Sequence, residues 1–205
     1  MEKNNGKTKD LVIEAGMQLI PYVGGSLATI YFGSKQERRF ARLESFYSEL
    51  ADEIRNAPKQ LSLSSQDPAA LEAIIELIHE KVEAEPLEEK RKYLRNYYKS
   101  TLESPIGTNF DERKHFLEAI AQMSLLECEL LGYVKDNPDL LLGEIQRPGI
   151  EQYAIVGAVG TLKLRGFVIG KQDVFNSGGT TDNALFEKIS ISAFGSSFYE
   201  FCLRT

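Results

Sequence analysis

The chain has 205 residues, 42% of them hydrophobic and 26% charged, a formal charge of −6 and a mean hydropathy of −0.26. That is enough apolar chain for one large or two small packed domains, and it excludes a disordered tail, a collagen-like repeat and a polytopic membrane protein. The acidic balance argues against coating a polyanion, and the cysteines Cys128 and Cys202, with no C-x-x-C spacing, imply neither a disulfide framework nor a zinc knuckle.

The start, Met1 to Asp10, is polar and mixed in charge and does not read as a signal peptide, so a cytoplasmic location is expected. Leu11 to Ile20 reads as a short apolar helix cut at Pro21, and Tyr22 to Phe32 as its hairpin partner, with Gly24-Gly25 near its start. A charged helix is predicted from about Ser34 to Asn56, because Phe40, Leu43, Phe46, Tyr47, Leu50 and Ile54 recur at steps of three and four. After a polar loop, Asp67 is a predicted N-cap with Pro68 at the first helical position. The helix it opens carries Leu71, Ile74, Ile75, Ile78 and Val82 on one face, and seven carboxylates lie between Glu72 and Glu89. Pro86 restarts the chain into a basic, tyrosine-rich helix from Glu88 to Ser100. Ser104 to Asn109 holds proline, glycine and polar residues and is the predicted boundary, with a helical region over 1–104 and a second module over 110–205.

In the second module Asp111 to Met123 is predicted helical with Phe116, Leu117, Ile120 and Met123 inward. Ser124-Leu-Leu-Glu127 has capping-box spacing, so a further helix starts there and runs to about Lys135. Asp136 to Pro148 reads as a loop containing Leu140-Leu141-Leu142, and Ile150 to Leu164 as a third helix. Phe167 to Ile169 and Phe186 to Ser192, around the turn signal Asn176-Ser-Gly-Gly179, form one β-hairpin, and Phe194 to Cys202 closes the chain as a short helix. The fold class is therefore mainly α, with a winged-helix-like α+β module at the end.

The segments Leu125 to Leu131, Leu162-Lys-Leu-Arg-Gly-Phe-Val-Ile169 and Ile189-Ser-Ile-Ser-Ala-Phe-Gly-Ser-Ser-Phe198 resemble the closing part of degenerate winged-helix modules. These occur in bacterial and phage proteins, including a family filed as a domain of unknown function. Ile20-Pro-Tyr-Val-Gly-Gly-Ser26 resembles the "P-x-x-G-G" apolar hairpin that such proteins carry near their start. The resemblance implies a bacterial or phage protein, with regulation or phage–host conflict as its setting, and it carries over no catalytic residue.

A DNA-reading third helix offers basic and amide side chains to phosphates and base edges. Ile150 to Gly160 holds no basic residue, and residues 111–205 carry nine Lys and Arg against thirteen Asp and Glu. Lys163, Arg165 and Lys171 are the nearby cations available for nucleic-acid contact. Gly16 to Gly33 is an uncharged run of eighteen residues, about 27 Å long if helical, which nearly matches a hydrocarbon core. Pro21, Gly24 and Gly25 oppose a continuous span and favour a buried or self-associating hairpin, with membrane insertion through residues 11–33 as the alternative. Two E-x-x-H steps, Glu76 to His79 and Glu112 to His115, suggest metal ligands, but helical angles turn both sets toward solvent, and no metal site or cofactor is expected. No nucleophile motif, P-loop or dinucleotide fingerprint is present, so the chain is not expected to be an enzyme. Tyr93 and Tyr97 with Arg91 and Arg95 form a candidate contact patch, since tyrosine and arginine dominate binding hot spots, with core packing of one or two of them as the equal alternative. With Pro21, Gly24, Gly25 and Leu27, they make up the expected interface of a protein-binding or self-assembling accessory protein. A winged-helix transcription regulator and a membrane-inserting effector are the alternatives.

Overall fold

The computed structural model describes residues 34–55, 67–104, 106–172 and 182–204. The predicted apolar hairpin, with Pro21, Gly24, Gly25 and Leu27, and the turn Asn176 to Gly179 lie outside them. The chain divides into two compact units, Met1–Ala121 and Gln122–Thr205. The helix that the sequence assigns to the start of the second module thus falls in the first unit.

In the first unit α1 (Ser34–Arg55), α2 (Pro68–Ala84), α3 (Glu88–Glu103) and α4 (Phe110–Gln122) follow one another. α1 buries Leu43, Phe46, Tyr47 and Leu50, and α2 buries the whole stripe from Leu71 to Val82. The Asp67 carboxylate accepts from the amides of Ala69 and Ala70, and Pro68 follows it where no amide donor is needed. α3 is enclosed on more than one side, since the five consecutive residues Leu94 to Tyr98 are all buried. Three polar ties fix α4 to its neighbours. The Tyr97 hydroxyl donates to Arg113 O at 2.8 Å, Lys81 pairs with Glu118 at 3.0 Å, and Lys90 Nζ donates to Ala121 O at 2.9 Å. Lys90 also meets Glu85 at 2.8 Å, so the acidic and basic runs pair across Pro86.

The second unit contains α5 (Leu125–Asp136), β1 (Leu140–Leu141), α6 (Gln152–Leu164), β2 (Val168–Lys171), β3 (Lys188–Ile191) and α7 (Ala193–Phe198). The capping box at Ser124 and Glu127 is present in both directions. The single hairpin read from the sequence is one part of a three-stranded antiparallel sheet of order β1-β3-β2. β2 and β3 pair Val168 with Ile191 and Lys171 with Lys188, while β1, read as loop, pairs Leu140 with Ile189. Two residues are too few for a period-2 pattern, so only the partner strand reveals β1. The closing helix is regular through Phe198 and then widens into a π turn from Tyr199 to Leu203.

α6 stops at Gly166, whose φ of 75° is open to glycine at little cost. The Gly166 amide donates to Lys163 O and the Phe167 amide to Leu162 O, closing the last turn as a Schellman motif. The chain end returns to this point. The Ser192 amide donates to Phe167 O at 2.9 Å, and the Ser192 hydroxyl donates to Gly166 O at 2.6 Å while accepting from the Gly195 amide. Phe198 then stacks on Phe167 with centroids 4.2 Å apart. A Cβ on Gly195 would stand 2.1 Å from Phe167 O, against backbone that has no freedom to turn aside. Gly195→Ala is expected to destabilise the protein by about 1–3 kcal/mol through overpacking. Chemical denaturation of the variant beside Gly157→Ala, which meets no atom within 4 Å, measures this, and equal stability of the two would refute it.

Candidate functional site

Two groupings of polar or exposed residues stand out, one in each unit. In the first unit Arg95 is buried, and taking its guanidinium out of water obliges carboxylates to follow. Nη2 meets Glu49 at 2.8 Å, Nε meets Glu53 at 2.8 Å and Nη1 meets Glu88 at 2.9 Å. Glu49 and Glu53 are one turn apart on α1, and Glu88 is two turns before Arg95 on α3, so the cluster ties α1 to α3. Lys99 shares Glu53, and Arg91 shares Glu88 while donating to the carbonyls of Glu85 and Pro86 at 3.1 and 2.9 Å. Burial pushes the Glu53 and Glu88 carboxyls up, but hydrogen bonds from Lys99, Arg95 and Arg91 outweigh it and hold both below the usual range.

Beside this network the Tyr47 hydroxyl and His79 Nε2 share a hydrogen bond, and Tyr47 packs edge-on against His79 and Tyr98. Burial pulls the His79 pKa down to about 4 and pushes both tyrosine hydroxyls well above their ordinary value. The imidazole is therefore neutral near pH 7. Glu76, Glu112 and His115 are exposed, as the helical angles require, but His79 is not. The angle count from the α2 stripe alone misses it, because packing of Tyr47 from α1 widens the buried sector beyond that stripe. Among the described residues no three of His, Cys, Asp and Glu converge as metal ligands.

These contacts decide the fate of the predicted tyrosine–arginine patch. Tyr97 and Arg95 are interior residues, and Arg91 is engaged with Glu88 and two carbonyls. Tyr93 is half-buried. Of the two readings of this patch, contact surface or core packing, Tyr97 takes core packing, and Arg95 is buried with it: a helix enclosed on several sides turns such groups inward, where a lone helix would display them.

In the second unit α6 occupies the place of a reading helix before the wing. Its inward face supplies Ile155, Val159 and Leu162 to the core. Its other face carries Tyr153, Ala154, Gly157 and Leu164, with Gly160 and Thr161 at its margin. Tyr153 is 52% exposed and Leu164 90%, and Ile150 before the helix and Ile169 on β2 are also exposed. Of the three predicted nucleic-acid contacts, Lys163 is paired with Glu187, whose side chain reaches over Gly170. Arg165 donates from Nη2 to Gln122 at 3.3 Å, and its buried Nε has no acceptor among the described residues. Lys171 is exposed on the edge strand β2, directly opposite Lys188. The sequence could have flagged this apolar face: Tyr153, Ala154, Gly157 and Leu164 follow the same three-and-four spacing as the core stripe, but which stripe turns inward depends on the sheet.

No protein-family model, curated protein or solved structure matches the chain.

The neutral buried His79 makes stability pH-dependent. Its folded pKa lies below the unfolded value of about 6.5, so its contribution is full above that value and is lost as pH falls toward 4. The unfolding free energy is expected to drop by about 1–2 kcal/mol between pH 7 and pH 5, before most carboxylates protonate. His79→Gln, measured over the same range, should flatten this slope; an unchanged slope would show that another group titrates. Arg95→Lys is expected to cost about 2 kcal/mol despite keeping the charge, because one ammonium cannot serve three carboxylates in the planar fork's geometry. A denaturation curve matching the parent would refute that.

Proposed function

We propose that the chain is a non-enzymatic, cytoplasmic accessory protein that works by protein contact, including contact with copies of itself. The observation that carries this reading is the character of the exposed face of α6. A helix that reads DNA from this position presents cations to the phosphates. Here the face is apolar and uncharged from Tyr153 to Thr161, while Lys163 is engaged by Glu187. Exposed tyrosine and leucine side chains beside small residues favour a protein surface over a phosphate backbone as the partner. The balance of nine cations against thirteen anions in residues 111–205 supports the same choice.

Regulation or phage–host conflict, taken from the resemblance to winged-helix modules of bacterial and phage proteins, is the setting we propose for that contact. Among the described residues no helix is long and apolar enough to cross a membrane, and residues 11–33 lie outside them.

Light scattering and duplex-binding titrations test the reading together. The expected outcome is a mass that rises with concentration, with no duplex binding at about 0.15 M salt. Duplex binding that weakens steeply with salt, and that falls in the Lys163→Ala and Arg165→Ala variants, would overturn it in favour of a transcription regulator.

A further inference from the structure

We draw no further inference here: the strongest candidate, the exposed apolar face of α6 around Tyr153, Gly157 and Leu164, carries none because nothing in the structure shows what covers it.

Discussion

The burial of Arg95 governs the first unit. A guanidinium cannot be taken out of water alone, so Glu49, Glu53 and Glu88 must converge on it, and that convergence fixes the register of α1 on α3. Lys99 and Arg91 occupy the remaining oxygens of Glu53 and Glu88, which balances the three carboxylates with three cations, and the Ser45 hydroxyl donates to the second oxygen of Glu49. Alongside it, Tyr47 reaches from α1 to His79 on α2, so α1 is tied by polar contacts to both helices that follow it. The apolar stripe supplies the driving force for packing α2, but it tolerates sliding. The charged network does not, because a shift of one turn leaves a buried cation short of partners.

The second unit is held by a different device. The end of α6, the start of β2 and the start of α7 meet where Ser192 bridges Gly166 and Gly195, and Gly195 lies against the backbone of Phe167. This joint sets the wing on the core through Phe167 and Phe198, and the opposite face of α6 carries the exposed Tyr153 and Leu164. Glu187 on the wing side engages Lys163, so the same packing that positions α6 also occupies a cation that a nucleic-acid reader would need free. The functional reading and the architecture therefore have one source: a wing that closes on its own helix, and a helix whose outer face is apolar.

Much of the local structure was legible from the chain. The α2 stripe at Leu71, Ile74, Ile75, Ile78 and Val82, the cap at Asp67, the capping box at Ser124 and the stop at Gly166 depend on neighbours within four or five residues, and short-range stereochemistry writes them into the sequence. The boundaries of α1 to α6 follow from the same signals to within three residues. The mainly helical class with a late hairpin was also determined at this level.

Tertiary structure alone decided the rest. Leu140–Leu141 becomes a strand because β3 lies beside it, about fifty residues along the chain, and no local period could announce that pairing. His79 is buried because Tyr47 packs over the edge of the α2 stripe, and Arg95 and Tyr97 turn inward because α3 is enclosed, although an isolated helix would present both as contact residues. Composition fixed the sign of the charge, but the partner of each charge depended on distant chain segments brought within a few ångströms. The sequence by itself determined which residues form helices and where they stop. Only the folded chain decided which side of each helix is inside, because burial is set by what lies across from a residue and not by what stands next to it.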